Sequence, residues 1–252
     1  MNCTGDFLLV ILSIRLIIYI FISVSLYAVT SCKKKVEPAP DLGYGYAPET
    51  IGKYVIYDVD STIYDDFTKD TLYYKYRIKE KLAEAITDNQ GRPAIKMIRY
   101  IKKYDPLKNY NQMNWTIKDV WNYTKTNTTL ELVEENIRIT KLVFPVKTDA
   151  TWNANAFNTQ PELKYKYLFT DQAHAVNGTN FDQVSCVEQR DDKRRNAIRR
   201  QYYIEKYAKG VGLVYREITD LHSNTVVANV PVEQRIEKGV IYKLTYVSHG
   251  IE

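Results

Sequence analysis

The sequence predicts a mainly β fold: a single antiparallel curled sheet or open barrel with at most one or two short helices. The chain contains 22 tyrosines against 7 phenylalanines and is rich in β-branched residues, a composition that favours strands. Apolar and polar residues alternate over many short segments. Turn-forming residues separate these segments without a βαβ rhythm, which indicates antiparallel connections.

The first two strands show this alternation most clearly. In the segment "GKYVIYDVDS", one face carries Val55, Tyr57 and Val59, and the intervening positions include Asp58 and Asp60. The segment "TLYYKYRIKE" alternates in the same way. A period of two residues is typical of half-buried strands with one wet face.

A turn is predicted where "DNQGRP" separates two apolar segments, and the alternation resumes in "AIKMIRYIKKY". Residues 78–87 also fit a helical spacing, so strand and helix both stay open there. A helix is predicted at 189–200, where acidic residues precede a run of arginines. Further short strands are predicted at 115–123, 130–134, 137–144, 163–169, 180–189, 201–208, 213–221 and 239–247.

The N-terminus combines an export signal with a lipid-attachment motif. Residues 16–29, "LIIYIFISVSLYAV", have the length of a secretory apolar core and follow Arg15. The next residues, "VTSC", resemble the lipobox of bacterial lipoproteins. This resemblance implies that residues 1–31 are a cleaved lipoprotein signal peptide and that Cys32 is the site of lipid attachment, with palmitate among its acyl chains.

A lipidated cysteine and a flexible linker are predicted over residues 32–50, which contain "KKK" and a Pro/Gly-rich stretch. Residues 51–252 then form one β-rich globular domain. The alternative is a retained transmembrane helix over residues 7–29, since about 20 apolar residues suffice to cross a bilayer. Arg15 inside that span would be costly. Asp6 and the lack of a base before Arg15 leave the true start codon open.

Net charge and cysteine usage limit which partners and which covalent links are expected. The net charge of +5 comes from bases spread along the chain, apart from a cluster at 191–201. For an exported protein that cluster is interpreted as a solvated face, so no nucleic-acid partner is predicted. Cys186 stays alone once Cys3 leaves with the signal peptide and Cys32 is acylated, which excludes an intramolecular disulfide. Cys186 is predicted to be a small core residue.

The stretch "VIYDVDSTIYDDF" is the strongest catalytic candidate, because its Asp-x-Asp-x-Thr resembles the nucleophile motif of haloacid-dehalogenase-type phosphatases. That resemblance implies a doubly wound α/β domain, Mg²⁺ and a second acidic pair on a later strand. The only later pair of note, Asp191 and Asp192, lies in a charged run, and strand-like residues follow the motif. Asp58 and Asp60 are therefore interpreted as wet-face residues.

No other catalytic residue, metal site or cofactor is predicted. The three histidines, His174, His222 and His249, lack metal-ligand spacing, and no Gly-x-Ser-x-Gly elbow occurs. Two triplets, Asp60-Ser61-Thr62 and Asp70-Thr71-Leu72, resemble O-glycosylation sites of Bacteroidota. Whether either is glycosylated stays open.

Several segments resemble those of uncharacterised Bacteroidota outer-membrane lipoproteins: "IGKYVIYDVDS", "TDNQGRPAIKMIRY", "LVFPVKTDATWNANAFNT" and "YAKGVGLVYREI". The resemblance covers most of residues 51–247. It implies a β-rich domain on a lipid tether at the outer membrane, and it carries over no catalytic residue. No acidic run follows Cys32, which favours a periplasm-facing rather than a surface-exposed position.

These observations favour a lipid-anchored, non-enzymatic binding or carrier module of the cell envelope. A curled sheet leaves a concave apolar face, and Trp and Tyr suit such surfaces because each joins an apolar ring to a polar tip. The candidate ligand-binding residues are Trp115, Trp121 and Trp152, and the candidate ligands are a lipid, a glycan or an envelope protein. The alternative is an envelope hydrolase or phosphatase that uses Asp58 and Asp60.

Overall fold

The computed structural model describes residues 39–192 and 197–252, together with the single positions Arg15 and Tyr19. The predicted signal peptide and the lipid-attachment residue Cys32 lie outside these described residues. Within the described part of the chain, no helix is long and apolar enough to span a membrane. Residues Asp41–Glu252 form one compact unit.

A single 12-stranded antiparallel sheet makes up this unit, which confirms the predicted fold class. Three short 3-10 turns occur at Tyr44–Tyr46, Tyr110–Gln112 and Val232–Gln234. The strands are β1 (Lys53–Tyr64), β2 (Thr71–Thr87), β3 (Pro93–Lys103), β4 (Thr116–Lys125), β5 (Thr129–Glu134), β6 (Ile137–Val143), β7 (Thr151–Asn153), β8 (Lys164–Val176), β9 (Thr179–Asp191), β10 (Arg199–Ala208), β11 (Gly212–His222) and β12 (Lys238–Ile251).

The strand order is β6-β5-β4-β3-β2-β1-β12-β11-β10-β9-β8-β7, so two meanders meet where β1 pairs with β12. The outer strands β6 and β7 approach each other at the opposite side. The amide of Thr140 donates to the carbonyl of Ala154 at 2.9 Å, and Trp152 Nε1 donates to the carbonyl of Thr140 at 2.9 Å. These bonds bring the sheet close to a closed barrel, which covers the edge groups that an open sheet exposes.

Alternation along the strands produces an interior and an exterior face. On β1, the side chains of Val55, Tyr57 and Val59 are buried on the interior face. Asp60, on the opposite face of the same strand, is exposed. The interior side chains form two apolar clusters, one around Trp152, Tyr167 and Leu142 and the other around Tyr57 and Leu244. Seven of the buried residues in these clusters are tyrosines.

One predicted element differs from the structure, and one open assignment is resolved by it. The helix predicted at 189–200 is wrong where the structure describes it, because β9 continues to Asp191 and β10 begins at Arg199; residues 193–196 lie outside the described part. The charge order that favours a helix here belongs to the ends of two paired strands. Residues 78–87, for which both structures were open, are strand, and a bulge between Leu82 and Glu84 causes their irregular spacing.

The compact unit begins at Asp41, within the region predicted to be a flexible linker. Tyr46 and Ala47 are almost fully buried, and the amide of Gly210 donates to the carbonyl of Gly45 at 2.8 Å. Gly43 has a φ of +80°, a conformation that glycine adopts without strain. The glycines and prolines of this stretch therefore form a tight, packed segment, and residues 41–48 belong to the domain.

The motif "DNQGRP" forms the β2–β3 turn and holds a buried ion-pair cluster. Asp88 accepts hydrogen bonds from the amides of Gln90 and Arg92 at 2.9 and 3.0 Å. Arg92 and Arg138 both pair with the buried Glu131, at 2.7 and 2.8 Å. Burial raises the pKa of Asp88, but the backbone hydrogen bonds and Arg92 outweigh it and lower the pKa to about 2.

Candidate functional site

An apolar cavity opens inside the curled sheet. It has a volume of about 60 Å³ and lies between strands β1–β5, β10 and β11 and the segment 46–48. Sites for drug-sized molecules usually have volumes of about 300–1,000 Å³, so this cavity is a small one. The wall combines tyrosine rings with aliphatic side chains: Tyr46, Tyr57, Tyr123, Tyr207, Val55, Leu82, Met97, Leu130, Leu132 and Leu213.

Three of the four buried tyrosines in this wall satisfy their hydroxyl groups within the protein. Tyr57 donates to the carbonyl of Leu213 at 2.9 Å, and Tyr46 donates to Asp171 at 2.7 Å. Tyr207 donates to Glu205 at 2.5 Å. These bonds fix the orientation of the rings, so that their faces and edges form a preformed apolar wall.

Tyr123 is different, because its buried hydroxyl has no hydrogen-bond partner among the described residues. The side chain is only 6% exposed and lines the cavity. Desolvation raises its pKa well above the usual value, and the nearby Glu49 carboxylate adds to this effect. A buried polar group without a partner is costly, so Tyr123 offers the cavity a free hydrogen-bond donor.

The charged side chains in the wall are neutralised, with one exception. Glu80 pairs with Arg99 at 2.9 Å, and Arg216 pairs with Glu205 at 2.7 Å. Lys53 has no ion pair or side-chain hydrogen bond among the described residues, and burial lowers its pKa. Lys53 is only half-buried, so solvent reaches part of this side chain.

A buried charge network supports the cavity from behind. Lys141 of β6 contacts Glu205 of β10 at 2.9 Å and Glu134 of β5 at 3.2 Å. Burial raises the pKa of Glu205, but Arg216 and Lys141 outweigh it and lower the pKa to about 2. The network fixes Arg216 and Tyr207, two side chains of the cavity wall.

The predicted tryptophans lie in three separate environments. Trp121 is buried under Arg99, whose guanidinium carbon lies 4.0 Å from the ring centroid. Trp152 packs in the core against Tyr165 and Tyr167, with centroid distances of 5.9 and 4.8 Å.

Trp115 is half-buried on the exterior, where the Nζ atoms of Lys79 and Lys102 lie 5.3 and 4.5 Å from its ring. None of the three tryptophans lines the interior cavity. They are not brought together, and two of them serve as packing residues.

Asp58 and Asp60 lie on the exterior face of β1, away from the cavity. Asp58 accepts two hydrogen bonds from Arg77, at 2.7 and 3.0 Å, and Asp60 lies 3.5 Å from Lys75. Both are cross-strand pairs between β1 and β2. In the described part of the chain, no group of three or more His, Cys, Asp or Glu side chains is placed to hold a metal ion.

Cys186 is buried on β9, and desolvation raises the pKa of its thiol to about 11. A thiol in this state is a poor nucleophile, because the thiolate is the reactive form. His174 lies 2.7 Å from Lys206, and burial and that cation lower the pKa of His174. His249 contacts the hydroxyl of Tyr246 at 2.9 Å.

Lys53, Tyr57 and Tyr123 were not predicted as site residues, although one signal was present. In "GKYVIYDVDS", Lys53 shares the parity of Val55, Tyr57 and Val59, so alternation alone assigns a lysine to the apolar face. The position of Tyr123 in the wall depends on sheet closure, for which the sequence carries no local signal.

No family model and no curated protein matches this chain. Among solved structures, it is similar to a "putative exported protein with YmcC-like fold" from Bacteroides fragilis NCTC 9343, with 9% identity and a TM-score of 0.39 over 80% of this chain and 98% of that one. It is also similar to a "putative lipoprotein" from Parabacteroides distasonis ATCC 8503, with 12% identity and a TM-score of 0.38 over 81% and 98% of the two chains.

Proposed function

We propose that this chain is a lipid-anchored envelope protein whose β-domain binds a small, mainly apolar ligand in the interior cavity. Binding rather than catalysis is the role of the site. Acylation of Cys32 anchors the chain at the outer membrane, facing the periplasm. Several acyl chains on one cysteine give stable attachment, since each buried methylene contributes about 0.8 kcal/mol.

The carrying observation is the free hydroxyl of Tyr123 in a preformed apolar wall. Eight buried side-chain atoms lack a hydrogen-bond partner among the described residues, and the Tyr123 hydroxyl is the one that belongs to the cavity wall. A ligand with one acceptor atom would satisfy it. The wall is also rigid, because Tyr57 and Tyr46 are held by hydrogen bonds at 2.9 and 2.7 Å. Preformed walls reduce the ordering cost of binding.

The alternative role as an envelope hydrolase or phosphatase gains no support from the geometry of Asp58 and Asp60. Each carboxylate lies next to a basic side chain of β2 on the exterior face. Neither lines the cavity. A nucleophile needs an accessible cleft and partner groups for the reacting atoms.

The anchor is tested with the full chain expressed in a diderm bacterium and fed an alkyne fatty acid. Wild type should incorporate the label and fractionate with membranes, and Cys32→Ala should lose the label. Cys186→Ala is the matched control, because Cys186 is buried in the domain and should not alter labelling. Equal labelling of Cys32→Ala and wild type would refute the anchor.

Ligand binding is tested with a photoactivatable apolar probe added to membranes that contain the full chain. We expect crosslinks to peptides of β1, β2 and β4, and loss of these crosslinks in Leu132→Trp, which fills the cavity. Ile117→Trp is the control, because Ile117 is 64% exposed on β4 outside the cavity. Met97→Phe is a milder filling variant for the case that Leu132→Trp unfolds. Crosslinks that persist in both filling variants would refute the interior site.

A further inference from the structure

The first half of β4 has one free edge. Strand β3 pairs with one side of β4 from Thr116 to Tyr123, but in the described part of the chain β5 pairs with the other side only over Asn122–Lys125. Residues 116–121 therefore extend past β5, and their backbone groups that point away from β3 have no strand partner among the described residues. Free strand edges are templates for pairing with another strand.

This edge is accessible and carries apolar side chains. Ile117 and Val120 are 64% and 51% exposed, and both lie on the exterior face of the sheet. A groove of about 340 Å³ separates the edge from the β5–β6 turn, whose residues Glu135 and Asn136 line it. The turn therefore does not cover the edge.

A β-bulge in the middle of this edge gives its side chains a two-fold pattern. The register with β3 shifts by one residue there, and Lys118 is the extra residue of β4. On either side of the bulge, Ile117 and Val120 share the exterior face, and Thr116 and Trp121 share the interior face. In a regular strand, residues three or five positions apart lie on opposite faces. The bulge thus makes the facing of the side chains symmetric about its own centre.

This two-fold pattern fits a second copy of the same strand. When two such edges pair antiparallel about the bulge, Ile117 of one copy lies opposite Val120 of the other. Lys118 of one copy then lies beside Asp119 of the other, twice in each dimer. Apolar pairs and opposite charges on neighbouring strands are stabilising. The contact is isologous, because the same patch serves both copies.

A buried donor without a partner supports the same pairing. Trp121 is 6% exposed, and its Nε1 has no hydrogen-bond partner among the described residues. Antiparallel pairing about the bulge places Thr116 of the second copy opposite Trp121 and on the same face. The Thr116 hydroxyl donates to the carbonyl of Ile101 at 3.2 Å, and its oxygen can still accept from an indole N–H.

We propose that two copies of this chain associate through residues 116–121, which pair antiparallel and continue the sheet from one copy into the other. The surface lies outside the interior cavity, so this association needs no ligand. Six paired residues form a small contact, and covalent trapping in cells is therefore the suitable measurement.

The test co-expresses two full-length chains with different epitope tags, one with Ile117→Cys and the other with Val120→Cys. Mild oxidation of intact cells should trap a disulfide-linked heterodimer, because the two positions face each other. Either variant expressed alone should give several-fold less linked dimer, since like positions lie on opposite sides of the bulge. Tyr73→Cys paired with Val120→Cys is the collision control, because Tyr73 is 75% exposed on β2. The native thiol of Cys186 is buried.

The charge order is tested in the same pair of chains. Lys118→Asp places a like charge beside Asp119 of the second copy and should lower the heterodimer yield about tenfold, since both pairs in the dimer become repulsive. Lys118→Gln removes only the attraction and should lower the yield less. Lys164→Asp makes the same charge change at an exposed position on β8 and should leave the yield unchanged.

Three results would overturn the proposal. The first is a heterodimer yield no higher than that of the Tyr73→Cys control or of either variant alone. The second is a yield that Lys118→Asp leaves unchanged, or that Lys164→Asp lowers as strongly. The third is a crosslink from Val120→Cys to a different envelope protein without a crosslink between copies, which would assign the edge to that protein.

Discussion

Lys141 and Glu205 form an ion pair at 2.9 Å although they lie on β6 and β10, strands that do not pair in the sheet. Both side chains are buried, with exposures of 3% and 0%. The pair crosses the interior and joins the two meanders from within. Its energy depends on both partners, because an unpaired buried charge is costly.

Removal of one partner should therefore destabilise the domain. We expect Lys141→Met to lower the free energy of unfolding by about 3 kcal/mol, the low end for a broken buried pair, since Arg216 still contacts Glu205. Urea unfolding of the full chain measures this change. The control is Lys166→Met, which removes a solvent-exposed pair with Asp149 and should cost at most about 1 kcal/mol. Equal losses in the two variants would contradict the cross-barrel role.

Asp88 predicts a specific pH dependence. Its pKa is about 2 in the folded protein against an ordinary value of 3.8, so the folded state favours the ionised form. The resulting stability is fully present above the unfolded value and is lost as the pH falls through the folded value. We expect wild type to lose stability more steeply below pH 3.8 than Asp88→Asn, as measured by thermal unfolding midpoints. Parallel curves for the two proteins would contradict this assignment.

Tyr46 tests whether the segment 41–48 is part of the domain or a linker. The side chain is 1% exposed and donates to Asp171 at 2.7 Å. We expect Tyr46→Ala to lower the free energy of unfolding by about 3–5 kcal/mol, the usual cost of truncating a buried aromatic residue. It should also expose the segment to limited proteolysis.

Tyr73→Ala is the comparison for Tyr46→Ala. Tyr73 is 75% exposed on β2, and its truncation should change stability by at most about 0.5 kcal/mol. A neutral effect of Tyr46→Ala in urea unfolding would support the flexible linker to residue 50 that the sequence predicts.

Gly239 occupies a position that no larger residue fits. Its φ is +141°, and a Cβ atom there would lie 2.1 Å from the carbonyl oxygen of Asp220 on the neighbouring strand. We expect Gly239→Ala to cost about 3 kcal/mol or more, from backbone strain and displacement of β11. Gly178→Ala, at an open hairpin tip with a φ of +77°, should cost only about 1 kcal/mol. Urea unfolding of both variants gives the comparison, and similar costs would argue against the close approach.

Local patterns predict the strands because alternation is a property of neighbouring residues. Val55, Tyr57 and Val59 face the interior as their spacing indicates. The helix predicted at 189–200 is wrong. The charges of this interval satisfy the rules for helix ends, but its described residues belong to two strands that pair with each other. Charge order alone does not distinguish these cases.

The candidate site was less predictable, because it depends on which strands meet after the sheet curls. Residue type alone predicts the three tryptophans as ligand contacts, yet Trp121 and Trp152 pack in the interior and Trp115 lies outside. Tyr123 is a candidate because its hydroxyl lacks a partner among side chains from distant strands, and no local sequence pattern predicts this. A lysine at an apolar parity, such as Lys53, is the one local clue that could have indicated the cavity.

The pairing of β1 with β12 fixes the order in which the domain can be completed. Lys53 lies opposite Ile251, so one side of the first strand can pair only after the last strand of the domain has been made. During synthesis from the N-terminus, β2 becomes available to β1 early. The other side of β1 keeps unpaired amides and carbonyls until β12 has been made. Truncation within β12 would leave that side open to pairing with other chains.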